Sequence, residues 1–106
     1  TLNIQLPFHS PKTYSSYHLY PIRIKNNLTP KTQQQIYDAL WDKDIAANLL
    51  YIPVHRQPYY ENLGFKSGDF PQAEQFHREV ICLPMFPKLT KEQQTKVVKS
   101  LNLVLK

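Results

Sequence analysis

The sequence predicts a small α+β domain, a short antiparallel or mixed sheet covered by about three helices. Three observations predict it. Residues 15–24 alternate with a period near two and are rich in aromatic and β-branched types, as strands are. Two later stretches open with threonine caps and continue as apolar stripes at helical spacing. The elements run strand, helix, strand, long arm, helix, strand, helix, and 106 residues make one small domain at most, with a core of modest size.

Thr1 to Tyr14, with Pro7 and Pro11 and no clean periodicity, reads as a connection. Pro21 inside the first strand predicts an edge position or a bulge, because proline donates nothing to a ladder. Lys25-Asn26-Asn27-Leu28 is a turn. Thr29-Pro30, a hydroxyl cap and a proline at the first helical position, opens a helix of about 13 residues. Its buried stripe is Ile36, Tyr37, Leu40 and Trp41, and Asp42 to Asp44 ends it. Ala47 to Ile52 reads as a short strand.

Leu63 to Asp69 holds both glycines of the chain and must turn sharply. A second helix begins near Pro71, with Phe70, Ala73, Phe76, His77 and Val80 expected on its inner face. Val80-Ile81-Cys82-Leu83 is a strand closed by Pro84. Thr90-Lys91-Glu92-Gln93 has the pattern of a capping box and opens a last helix, with Val97, Leu101, Val104 and Leu105 on one side.

Composition excludes more than it assigns. The single cysteine, Cys82, allows no intrachain disulfide and fits a reducing cytosol. No apolar run is long enough to cross a bilayer, and residues 1–6 lack the design of a signal peptide. A start on Thr1 rather than methionine is expected of a piece of something longer. The net charge of +5 invites an anionic partner. Ten lysines against three arginines argue against nucleic acid, since arginine is the usual reader of phosphates and guanine edges. His9, His18, His55, His77 and Cys82 show no metal-ligand spacing. Cys82, in an apolar strand, reads as a buried, inert thiol. With two glycines, a loop that cradles phosphate is nearly excluded, and the eight acids form no catalytic pair.

The stretch richest in chemistry is Tyr51-Ile52-Pro53-Val54-His55-Arg56-Gln57-Pro58-Tyr59-Tyr60. Proline disfavours helix for the residue before it, so Ile52 and Gln57 are expected to be extended and the segment a stiff, non-helical arm. With His18 and Tyr20 from the first strand, it gathers His55, Arg56, Gln57, Tyr59 and Tyr60 into a polar aromatic cluster. Such a cluster suits a hydroxyl-rich, anionic ligand: tyrosine faces cover rings, and histidine, glutamine and arginine donate to oxygens. The competing reading is a connection whose tyrosines pack on a neighbouring helix.

Four stretches in order carry a resemblance: Ser16-Tyr17-His18-Leu19-Tyr20-Pro21-Ile22, the arm Tyr51–Tyr60, Gly68-Asp69-Phe70-Pro71-Gln72-Ala73-Glu74, and Cys82-Leu83-Pro84-Met85-Phe86-Pro87-Lys88-Leu89-Thr90. Together they resemble the C-terminal part of sugar-nucleotide aminotransferases of the DegT/DnrJ/StrS type, pyridoxal-phosphate enzymes of the aspartate aminotransferase fold (fold type I). Within that family the chain looks most like enzymes that aminate C4 of a UDP-linked 4-keto-6-deoxy hexosamine on the route to pseudaminic acid.

The resemblance implies that residues 15–106 are the C-terminal small, substrate-binding domain and that residues 1–14 lead from a large domain. In the family that large domain holds the cofactor phosphate and the Schiff-base lysine, which none of the ten lysines here matches. The chain alone is therefore expected to bind no pyridoxal phosphate, to supply no catalytic residue and to be inactive. The implied partners of the whole protein are a nucleotide-diphosphate sugar, an amino donor such as glutamate and a second copy in a homodimer. No nucleic acid or membrane is expected, and the implied place is the cytoplasm. By similarity His55, Gln57, Tyr51 and Tyr59 border the sugar-nucleotide pocket, with Tyr60 and His18 as further candidates and no metal. The sequence departs from the family twice: Asp44 stands where Gly commonly precedes Ile45, and Leu50 stands where a histidine often precedes the motif tyrosine. Two rivals remain, a stand-alone sugar- or nucleotide-binding module and a basic nucleic-acid-binding domain. The latter predicts affinity that falls steeply with salt.

Overall fold

The computed structural model describes residues 4–25, 27 and 29–106. Of the first expected segment, Thr1 to Asn3 lie outside these residues, as do Asn26 and Leu28 of the expected turn.

Strands β1 (Tyr20–Arg23) and β2 (Val80–Leu83) pair antiparallel, with Ile22 opposite Ile81 and Pro21 opposite Cys82. Single-residue bridges extend this ladder on both sides: Gln5 to Arg23, and Asn48 to Cys82. Cys82 turns its own N–H and C=O toward Asn48, at 2.8 and 3.0 Å. Pro21, opposite it, therefore owes β2 no donor, and its ring nitrogen faces the outer side of the pair. The edge position expected for Pro21 is thus explained.

The first strand is much shorter than the alternation suggested, and Tyr17, with φ of +49°, interrupts extended backbone ahead of it. The expected strand from Ala47 to Ile52 is reduced to the Asn48 bridge. An apolar run there marks burial rather than pairing: Ala47 is wholly buried, whereas Tyr51 and Ile52 are exposed.

Helix α1 (Gln33–Trp41) starts three residues later than expected. Thr32, not Thr29, is its N-cap, in a reciprocal capping box with Gln35. Thr29 caps a different helix end. Its buried hydroxyl donates to Leu105 O at 3.2 Å, and Lys31 Nζ donates to Val104 O at 2.7 Å. These bonds satisfy carbonyls that the end of helix α4 (Lys91–Val104) would otherwise leave open. Helix α4 itself begins with the expected Thr90–Gln93 capping box.

Ile36 and Leu40 of α1 meet Val97, Leu101, Val104 and Leu105 of the last helix over Ile22 and Ile81. Trp41, expected in this stripe, is half exposed and donates from Nε1 to Ala47 O at 3.0 Å. Helix α3 (Pro71–Glu79) approaches β1 through Arg23, whose guanidinium meets Glu79 at 2.7 Å and lies over the Phe76 ring. Its expected inner face is corrected as well. Phe70, Ala73 and Phe76 are exposed, and the half-buried positions are Glu74, His77 and Glu79. A polar side chain joins the layers: Gln33 Nε2 donates to His77 O at 2.9 Å and also to Val80 O.

Candidate functional site

The arm is not a straight spacer. Val54–Arg56 form a 3-10 turn, and Pro58–Asn62 form a short helix, α2. The prolines start these turns instead of preventing them. Pro53 is the residue ahead of the 3-10 turn and Pro58 is the first residue of α2, where a missing N–H costs nothing. Gln57 is extended as expected, with φ of −73° and ψ of 143°. Gln57, before Pro58, conforms to the rule, and the residues after each proline follow a different one.

His55 sits inside this bend, 6% exposed. Its Nε2 lies 2.8 Å from Glu74 Oε1 on α3, and its ring packs against Phe70 with centroids 5.0 Å apart. Glu74 collects more. Gly68 N donates to the same Oε1 at 2.6 Å, and Ser67 Oγ donates to Oε2 at 3.1 Å. These bonds hold the Glu74 carboxyl at a pKa of about 2, the His55 contact contributing most, then Gly68 N–H, against an opposing effect of burial. Gly68 and Gly64 both have positive φ, +93° and +102°, which lets the loop between α2 and α3 turn its N–H groups inward. One carboxylate thus ties the arm, the loop and α3 together.

A string of rings runs alongside, from His55 to Phe70, Phe65, Tyr60 and Tyr59, with neighbouring centroids 5.0 to 6.3 Å apart. Arg56 Nε donates to Glu61 Oε1 at 2.7 Å, fastening the turn to α2, and this bond raises the arginine's pKa. Gln57 Nε2 donates to Ile52 O at 3.2 Å, so its amide braces the arm itself. Tyr51 and Tyr59 project into solvent, 87% and 69% exposed, and Tyr60 is partly covered. His18 lies on an exposed bend ahead of β1, and among the described residues no hydrogen bond or ring contact joins it to the arm.

The structure therefore brings His55, Gln57, Tyr59 and Tyr60 into one unit, leaves Tyr51 at its rim and His18 apart. Sequence reasoning missed Glu74, the hub of the unit. Its signal was present in Gly68-Asp69-Phe70-Pro71-Gln72-Ala73-Glu74, where a carboxylate follows a glycine turn and a proline-initiated helix. Beside the arm lies an open hollow of about 390 Å³ lined by Ile52, Pro53, Arg56, Ser67, His77 and Arg78, among others. Cys82 is buried, and burial pushes its thiol pKa up, as an inert thiol requires. Among the described residues no three histidine, cysteine or acidic side chains group to hold a metal, and no helix is long and apolar enough to cross a membrane.

Comparison with known proteins gives these elements a context. Residues 2–102 match the model of the DegT/DnrJ/EryC1/StrS aminotransferase family. The chain is 38% identical to a pleiotropic regulatory protein of Geobacillus stearothermophilus, over 83% of this chain and 22% of that protein. It is 31% identical to the dTDP-3-amino-3,6-dideoxy-α-D-galactopyranose transaminase of Aneurinibacillus thermoaerophilus, over 93% of this chain and 25% of that one. Among solved structures, it superposes on Streptomyces venezuelae DesV, crystallised with a ketimine intermediate, with a TM-score of 0.83 and 29% identity, covering 94% of this chain and 26% of the other. Helicobacter pylori PseC, an aminotransferase involved in the biosynthesis of pseudoaminic acid, gives a TM-score of 0.76 at 28% identity, with coverage of 89% and 25%. The chain spans about a quarter of the length of such relatives. It belongs to the DegT/DnrJ/EryC1/StrS aminotransferase family.

Proposed function

We propose that this chain is the C-terminal, substrate-binding domain of a pyridoxal-phosphate aminotransferase that aminates a nucleotide-linked 4-keto sugar for a cell-surface glycan. Residues 15–106 form that domain and residues 1–14 lead into it. The observation that carries the reading is the match of nearly the whole chain to about a quarter of DesV, PseC and the dTDP-sugar transaminase. The likeness to PseC supports a UDP-linked 4-keto-6-deoxy hexosamine as the sugar.

On this reading the arm supplies recognition rather than chemistry. His55, Tyr51, Tyr59 and Tyr60 border the pocket, and Gln57 braces the segment that carries them. The residues here do not fit the cofactor. None of the ten lysines is buried, as a Schiff-base lysine in a desolvated pocket would be; Lys31 Nζ is spent on the end of α4 and Lys96 on the exposed Asp44 carboxylate. Holding the cofactor and transferring protons belong, on this reading, to the remaining three quarters of the protein. Exposed Tyr51, Val54, Tyr59 and Leu63 form an apolar rim that supports coverage by that large domain or by the second subunit of a homodimer. Glutamate is the proposed amino donor, and the cytoplasm the proposed place.

The test is the whole protein containing this chain, expressed with cofactor and examined by absorbance. A visible cofactor band, bleached by glutamate and restored by a 4-keto sugar nucleotide, is the expected result. A colourless protein that still binds nucleotide-sugar would overturn it in favour of a non-catalytic binding module.

A further inference from the structure

The two ring nitrogens of His55 have different surroundings. Nε2 faces Glu74 Oε1 at 2.8 Å, whereas Nδ1 has no hydrogen-bond partner among the described residues. Among those residues, His77 Nδ1 is the one side-chain nitrogen or oxygen both buried and without a partner. Nδ1 of His55 therefore keeps a path to solvent in an otherwise covered ring.

An ionised carboxylate only accepts hydrogen bonds, so the nitrogen facing Glu74 has to carry the hydrogen. In a neutral imidazole the other nitrogen then presents a lone pair. The arrangement is held from several sides. Phe70 flanks the ring, the 3-10 turn is closed by Arg56 N to Pro53 O at 2.8 Å, and Gly68 N and Ser67 Oγ prevent the carboxylate from swinging away.

We infer that His55 meets its ligand through Nδ1 as a hydrogen-bond acceptor, and that Glu74 is the positioning residue that sets this tautomer. The sequence suggested that the histidine would donate to ligand oxygens, and the geometry reverses that polarity. With the imidazole neutral, the group recognised must itself be a donor, a sugar hydroxyl or an amide N–H, and not a phosphate oxygen or a keto oxygen. This inference rests on the reading that the arm borders a nucleotide-sugar pocket and narrows what that pocket selects: a sugar with a free donor opposite the arm.

The tautomer is measured on the whole protein containing this chain, without substrate or cofactor and labelled with nitrogen-15 in histidine, by long-range proton–nitrogen spectra above the histidine titration range. His55 is assigned by its loss in His55→Asn. The expected wild-type signature is hydrogen on Nε2 and a lone pair on Nδ1; hydrogen on Nδ1, or on both nitrogens, overturns the inference. Glu74→Gln, whose amide can donate as well as accept, is expected to mix or exchange the tautomers, and an unchanged signature in a folded Glu74→Gln chain also overturns it. Should that variant not fold, the wild-type spectrum decides alone. In the whole protein, Glu74→Gln is expected to raise KM for the keto sugar nucleotide about tenfold, the worth of one good hydrogen bond, with kcat within about twofold. A fall in kcat at unchanged KM overturns the assignment. The tautomer spectra need neither substrate nor cofactor, so they stand or fall separately from the aminotransferase reading.

Discussion

Glu74 and His55, nineteen residues apart in sequence, meet at 2.8 Å and join helix α3 to the bend of the arm. The pair has a consequence for acid stability. Because the folded carboxyl is held at about 2 against an ordinary 4.5, its contribution is complete above about pH 4.5 and is lost as pH falls toward 2. Glu74→Gln is expected to be less stable than wild type at neutral pH, with the gap closing across that window. Urea denaturation at a series of pH values measures it, and a gap independent of pH would exclude the carboxylate as the cause. Glu61→Ala, which frees only the exposed pair with Arg56, should cost less than Glu74→Gln at neutral pH.

Asp44 follows helix α1 with φ of +58°, in the left-handed region, and its side chain is 93% exposed. Glycine adopts this conformation without the clash that a Cβ brings. Asp44→Gly is expected to stabilise the chain by about 0.5–1 kcal/mol, since the lost contact with Lys96, at 3.9 Å, is a weak surface pair. An equal gain in Asp44→Ala would show that the backbone angle is not the reason. Thermal or urea unfolding of the three chains gives the comparison.

Two threonines near the start of α1 should respond for different reasons. Thr32→Ala removes the N-cap and is expected to cost about 1 kcal/mol. Thr29→Val removes the bond to Leu105 O and leaves that carbonyl short of a donor, at a cost of about 1 kcal/mol as well. Amide exchange separates them: Thr32→Ala should loosen the first turn of α1, and Thr29→Val the last turn of α4. Thr32→Ala with no loss of stability would return the cap to Thr29.

Cys82, 2% exposed and with its thiol pKa raised by burial, should resist alkylation in the native chain. Labelling under native conditions is expected to follow the opening of the β2 region and to become fast in urea. Rapid labelling without denaturant would place the thiol at the surface.

The last helix was legible almost residue by residue, because its capping box and its stripe of Val97, Leu101, Val104 and Leu105 are local signals. Helix α3 began at Pro71 as read, and the loop turned on its two glycines. The errors arose where a residue serves a distant element. Thr29 looked like a cap for the helix after it and closes the one at the far end of the chain. The arm was read through what proline forbids before it, and its turns come from what proline permits after it. His55 stood out by its residue type, whereas Glu74 became visible as its partner only once α3 was laid beside the arm. The Gly-to-Asp departure at Asp44, noticed from the resemblance, proved to sit at a left-handed backbone position.

The pairing of β1 with β2 joins residues roughly sixty positions apart, so the sheet is no hairpin and cannot form early from local contacts. Helices α1 and α4, each with its own capping box, can take shape without it. Closing the ladder pays the entropy of the whole intervening segment at once, and beyond α1 that segment contains the arm, the glycine turn and α3. The order of assembly thus places the candidate site inside the segment that the final closure pins down. A destabilised sheet would therefore be felt first as a loosened arm, well before α1 and α4 melt.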